Sequence, residues 1–124
     1  MDGWRAVALF VGRLLIAALF VGGSVQKMID PEPVRMLLSG VGWPVVLVWP
    51  ALVFNALAGL ALIVGVGVRW LAVLLAGYTA VTSLFHFIPE DPWQMSIFVK
   101  NWAIVGGCLC LAAAGSGRIA WRPD

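Results

Sequence analysis

Charge is scarce in this chain. Asp, Glu, Lys and Arg make up 11% of its 124 residues, against about a quarter in an ordinary soluble domain. Too little charge excludes a surface that water could solvate throughout; a soluble fold of this composition would expose large apolar patches and aggregate. Histidine occurs once, which excludes a bis-histidine haem within one chain. The two cysteines, Cys108 and Cys110, form C-x-C rather than the C-x-x-C of a redox motif. Two residues apart on a helix they point in different directions, and they read as small lipid- or core-facing side chains. His86 and the cysteines fall at different depths of the hydrophobic pattern, so no zinc site is expected. No nucleophile–base pair and no phosphate-cradling loop is present, and no catalytic residue is assigned. A net charge of +2 is too small to imply a nucleic-acid partner.

What the chain has in abundance is apolar length. Hydrophobic residues reach 62% and the mean hydropathy is +0.99. A bilayer-crossing helix needs roughly 20 mostly apolar residues, and residues 7–25, 45–68, 70–88 and 97–114 supply four such runs. The expected fold is all-α, a single integral membrane four-helix bundle with the lipid bilayer as its main partner. Arg13 interrupts the first run and the charge before it is weak, which disfavours a cleaved signal peptide. The connections are short. Residues 26–44 form the longest, stopped by Asp-Pro-Glu-Pro at 30–33; residues 33–42 are mildly amphipathic and suit the membrane surface. Arg5, Arg69, Arg118 and Arg122 fall on one side with Asp2 and Asp124. Lys27, Arg35 and Lys100 fall on the other with Asp30, Glu32, Glu90 and Asp91. The basic excess favours both termini in the cytoplasm. Of seven tryptophans, Trp4, Trp70 and Trp121 mark the inner ends and Trp43, Trp49, Trp93 and Trp102 the outer, as an interfacial aromatic belt requires.

An ionisable residue at membrane depth costs about 2.5–3.5 kcal/mol on insertion scales and is a functional candidate by default. Arg13 is the main case. With Ala17, Phe20, Ser24 and Lys27 it shares one helix face. Asn55 lies mid-way along the second run, between Ala51 and Gly59, which permit close helix approach. Thr79, Ser83 and His86 share a face of the third; Gln94, Asn101 and Cys108 share one of the fourth. Counting along alternating helices puts Arg13 and Asn55 near mid-membrane, and His86, Lys100 and Asn101 in the outer half. The ligand-binding candidates are therefore Arg13, Asn55, His86 and Asn101, with Lys27, Thr79, Ser83 and Lys100 as weaker ones. All six carboxylates lie in tails or loops, so Arg13 has no acid at its own depth. Backbone carbonyls, Asn55, hydroxyls, water, an acid from a folded-in loop or a ligand could each satisfy it. A ligand with carbonyl or anionic oxygens, such as a quinone or a small oxyanion, would suit an Arg–Asn–His site. Snorkelling of Arg13 to the interface is the structural alternative.

Several residue strings resemble those of the DoxX family of small bacterial and archaeal membrane proteins. They are Gly12-Arg13-Leu14, Phe20-Val21-Gly22-Gly23 and Lys27; Gly40-Val41-Gly42-Trp43-Pro44; Gly59-Leu60 through Gly65 and then Arg69; His86-Phe87; Lys100-Asn101; and Gly115-Ser116-Gly117-Arg118. The resemblance implies a four-helix bundle of a bacterial or archaeal cytoplasmic membrane, linked to redox work. The expectation is an accessory subunit of a quinone- or thiol-linked oxidoreductase, working with other protein subunits or by self-association. No cofactor belongs to the chain itself, and quinone is the candidate ligand. A small-solute or anion transporter, and a purely structural subunit, are the competing readings. The resemblance also implies Glu where this chain has Asn55, which would remove an obvious partner for Arg13.

Overall fold

The structure, a computed structural model, describes residues 3–124; Asp2, counted above, lies outside them. Among the described residues every regular element is helical. The order is α1 (Gly3–Ile29), α2 (Glu32–Gly40), α3 (Val48–Val64) entered through a 3-10 turn at Val45–Leu47, α4 (Val68–Ser83) continued by a 3-10 turn at Leu84–His86, and α5 (Pro92–Ala114). Four of these segments are long and apolar enough to cross a membrane, and the protein is an integral membrane protein. At 1.5 Å per residue the 27 residues of α1 extend about 40 Å, more than the roughly 30 Å of hydrocarbon.

The helix boundaries follow from local chemistry, and several differ from the apolar runs. α3 ends at Val64, four residues before its run does, because Gly65 takes a left-handed conformation (φ 88°) that closes the helix. Gly67, also left-handed, opens α4. α5 starts at Pro92, not at residue 97. Asp91 caps it by accepting from the amides of Trp93 (3.0 Å) and Gln94 (3.3 Å), and Pro92 occupies the first turn, where no amide proton is needed. The amphipathic stretch after the first run becomes α2, which lies against the two 3-10 turns.

The four spanning helices associate as two close pairs, α1 with α3 and α4 with α5, and the pairs meet each other more loosely. Ala17, Phe20, Ala58 and Leu62 fill the first pair; Ala72, Leu75, Val105, Cys108 and Leu111 fill the second. Leu15, Leu57 and Val99 are examples of the exposed apolar side chains that lipid covers. Lipid is as apolar as leucine, so helix pairing depends on packing and hydrogen bonds. Ser24 supplies one, donating from Oγ to the Leu52 carbonyl at 3.0 Å. Gly59 supplies the closest approach: a Cβ there would stand 2.5 Å from Val21 Cγ2 and 3.2 Å from the Ala17 carbonyl oxygen and the Val21 nitrogen.

Gly59→Ala should force α3 off α1 and destabilise the protein by about 1–3 kcal/mol, the usual cost of overpacking. Unfolding from mixed micelles is the check; an unchanged midpoint would contradict the close approach.

Candidate ligand-binding site

Arg13 faces one end of the bundle. Its guanidinium, 1% exposed, donates from Nη1 to the Ser116 carbonyl (2.9 Å) and from Nη2 to those of Ile119 (2.7 Å) and Ile63 (3.4 Å). It also lies over the Phe10 ring, 5.2 Å from the centroid; its Nε has no partner. The segment 115–124 folds back beneath the helices to bring these carbonyls in. The same segment satisfies other helix ends. The amides of Trp121 and Arg122 donate to the carbonyls of Val64 and Gly65 where α3 stops. Asp124 accepts from the backbone amides of Ser116 (3.0 Å) and Arg69 (2.9 Å), placing a carboxylate at the N-terminus of α4, where the helix dipole favours it. Arg69 in turn donates to the carbonyl of Ala113 at 2.8 Å, at the end of α5. Arg13 is therefore level with Ile63 and not with Asn55: eight residues of α3 separate them, about 12 Å. The common depth read from the sequence for Arg13 and Asn55 gives way: Arg13 reaches the Ile63 carbonyl and the segment 115–124.

The opposite end is open between the pairs. There a cavity of about 550 Å³ lies within the range of ligand pockets. α2 and Trp43 cover one side of it, with Trp43 edge-on to Phe85 at 5.1 Å. Leu19, Phe20, Leu37, Leu38, Phe54 and Leu74 make most of the wall. Asn55, Thr79, His86, Asn101 and Lys27 interrupt it. Of the sequence candidates the structure thus brings five together. Arg13, Ser83 and Lys100 do not line the cavity. Ser83 is fully buried, with its hydroxyl bonded to the Ala80 carbonyl at 3.0 Å. Lys100 is exposed and lies 6.0 Å from the Trp93 ring centroid.

Two polar atoms in this wall have no partner: Asn55 Oδ1 and Thr79 Oγ1, on side chains 3% and 4% exposed. Such atoms are rare in native interiors, and each costs about 1–3 kcal/mol when left unmet. Lys27 reaches the same region. A Cβ on Gly23 would lie 3.6 Å from Lys27 Nζ and 3.7 Å from Asn55 Nδ2, so the missing side chain lets both nitrogens approach one point. Lys27 Nζ makes a long hydrogen bond, 3.5 Å to the Gly23 carbonyl. Beyond Lys27 a second hollow of about 400 Å³, lined also by Gln26 and Asp30, leads toward the surface. His86 Nδ1 is 2.6 Å from Gln94 Oε1, and the Asp91 cap fixes the turn that carries Gln94.

Sequence reasoning missed Tyr78, Gly23 and the α2 wall. Tyr78, the single tyrosine of the chain, packs 5.0 Å from Phe54 and 6.4 Å from Phe20 and lines the cavity with Asn55. Its place beside Thr79 was the available signal, since a residue adjacent to a buried polar one flanks the same face.

The fold and cavity define a small polytopic membrane protein with a ligand-sized, mostly apolar chamber between two helix pairs. A model of the DoxX family matches residues 8–88, which include every cavity residue except Asn101; the chain belongs to the DoxX family. It is similar to inner membrane protein YqjF of Escherichia coli (strain K12), 30% identical over 112 residues, covering 90% of this chain and 86% of that protein. No solved structure matches it significantly.

Arg13→Lys replaces a fork with a single ammonium that cannot serve carbonyls at 116 and 119 together. Stability should fall by about 1.5–3 kcal/mol, the worth of one charge-assisted bond, and trypsin should cut faster at Arg118; an unchanged digestion rate would contradict the clasp. Partial burial pushes the Asp124 carboxyl up, but bonds from Arg69 and Ser116 outweigh it and hold the group below the usual carboxylate value. A lowered pKa stabilises the folded form above the unfolded value, about 3.9, and that stabilisation is lost as pH falls through the folded value. The melting temperature should therefore drop below about pH 4, and Asp124→Asn should flatten that part of the profile.

Proposed function

We propose that the cavity binds a membrane-borne molecule with an apolar body and an oxygen-bearing head, of quinone type. On this reading the protein is an accessory subunit of a quinone- or thiol-linked redox system in a bacterial cytoplasmic membrane. The observation that carries it is a ligand-sized, mostly apolar chamber between membrane-spanning helices whose wall Lys27, Asn55, Thr79, His86 and Asn101 interrupt, with Asn55 Oδ1 and Thr79 Oγ1 unmet by protein beside it. A ligand that arrives through lipid and hydrogen-bonds at one pole satisfies both features. Lys27 would donate to a head-group oxygen, Thr79 would donate or accept, and the leucine and phenylalanine walls would hold the ring and chain. A quinone exchanges electrons and protons; the polypeptide around it binds and orients. We assign electron exchange to a partner subunit.

Membership of the DoxX family and the name of the Escherichia coli relative support the location. The basic residues Arg5, Arg69, Arg118 and Arg122 support placing the clasped end in the cytoplasm, which puts the cavity in the outer half. Binding is favoured over permeation because Arg13 is engaged by carbonyls and residues 115–124 fill the end opposite the cavity.

Purification from native membranes in mild detergent, followed by solvent extraction and mass spectrometry, should recover quinone in proportion to protein. A short-chain quinone analogue should bind saturably, and Thr79→Val or Lys27→Met should weaken it about tenfold, the loss of one buried hydrogen bond. Arg13→Lys should lower stability without changing that affinity. Absence of both extracted quinone and saturable binding would sink the proposal.

A further inference from the structure

We infer that the chamber opens sideways into the bilayer through a slot between α1 and α4, bordered by Leu19, Leu74 and Val81, and that this slot holds the ligand's hydrocarbon chain. The inference rests on the quinone reading above. It adds the orientation of the ligand and narrows its class to a ring that carries a long chain.

The wall of the chamber is polarised along the helices. On α1, Leu19, Gly23 and Lys27 line it; spaced four apart, they form a ladder on one helix face. Lys27 stands eight residues beyond Leu19 on α1, about 12 Å. On α4, Leu74, Tyr78 and Val81 line the chamber, and the wall continues through Thr82, Phe85 and His86. α1 and α4 both run from the clasped end to the open end. Each ladder therefore begins apolar deep in the membrane and becomes polar toward the open end.

The apolar ends of the ladders are not sealed. Leu19, Leu74 and Val81 line the chamber yet are about half exposed, so the same side chains face cavity and lipid. α1 and α4 belong to different pairs and their backbones hardly approach each other; Phe20 and Tyr78 meet across the gap with ring centroids 6.4 Å apart. The open end of the bundle is better covered. There Leu38 of α2 is buried over the chamber and Trp43 stands against Phe85. A volume of about 550 Å³ suits a drug-sized molecule, and a long-chain quinone is larger than that. Its surplus chain has to leave, and the path past Leu19 and Leu74 delivers it to hydrocarbon as apolar as the wall it quits. The ring then lies toward Lys27, Thr79 and His86, and the chain runs out at depth.

The test uses the full chain in lipid nanodiscs, with affinities referred to the mole fraction of quinone in the lipid. The probes are a decyl-tailed ubiquinone analogue, the same ring without a tail, and a decyl analogue carrying a diazirine on its chain. Leu74→Trp should fill the slot and weaken the tailed analogue about tenfold, leaving the tail-less ring unchanged. Leu57→Trp, similarly exposed to lipid but off the chamber wall, should change neither. Should Leu74→Trp fail to fold, Val81→Trp should act in the same way. In the unaltered protein, light should attach the diazirine probe to α1 and α4 around Leu19 and Leu74. Attachment to α2 or the turn at Trp43 instead, or a tailed analogue indifferent to the slot variants, overturns the slot and leaves the quinone site standing. Saturable binding of neither tailed nor tail-less quinone overturns the site and the slot together.

Discussion

A buried guanidinium with no acid in contact has to be satisfied by the backbone, and the architecture is arranged around that requirement. In a bilayer no water compensates an unmet polar group, so carbonyls must be delivered from within the protein. Helices spend their carbonyls on themselves, except in the last turn. Arg13 therefore depends on chain outside regular helices, and residues 115–124 provide it through Ser116 and Ile119. That segment in turn uses its own amides and the Asp124 carboxylate on the exposed ends of α3 and α4. One buried cation thus ties together α1, α3, α4 and the chain beyond α5.

The consequence is a bundle that is closed at one end and loose at the other. At the clasped end the two helix pairs are joined through residues 115–124. At the far end nothing comparable joins them, and the space between is covered by α2 and the 3-10 turns. The hydroxyls show the contrast. Ser24, Thr82 and Ser83 all give their protons to backbone carbonyls, the ordinary fate of small polar groups in membrane helices. Asn55 Oδ1 and Thr79 Oγ1 do not find partners, and they are the ones beside the chamber. Arg13 Nε is unmet at the closed end as well, but both amino groups of that guanidinium are held by carbonyls, whereas Asn55 and Thr79 belong to the wall of a ligand-sized cavity; the open end therefore carries the functional reading.

Much of the fold was legible in the sequence because lipid imposes a simple rule: long apolar runs become helices, and their few polar residues turn inward. Ala17, Phe20 and Ser24 are buried on one face of α1 as their spacing requires, and Thr79 and Ser83 likewise on α4. The ends were less legible. Hydropathy runs on through Gly65 and Gly67, whereas backbone conformation stops α3 there; and the polar start of α5 conceals a helix that the Asp91 cap sets. The position of Arg13 was not legible, because its partners lie more than a hundred positions away in a segment with no strong pattern. Periodicity reports which face is shared, not which end of the cavity a residue reaches or whether a distant loop has already claimed it.

The same geometry revises the meaning of position 55. The family resemblance implies Glu there, and the sequence suggested that such an acid would pair with Arg13. In the fold, residue 55 lies about 12 Å along α3 from the level of Arg13, and its side chain shares the space over Gly23 with Lys27. A carboxylate at 55 would find Lys27, forming a neutral pair at the head of the cavity. With Asn no carboxylate stands there, and an amide takes the place of an anion. A Glu at 55 would therefore leave the Arg13 clasp untouched and act on the chamber alone, closing an ion pair with Lys27 where Asn leaves the two side chains unpaired by charge.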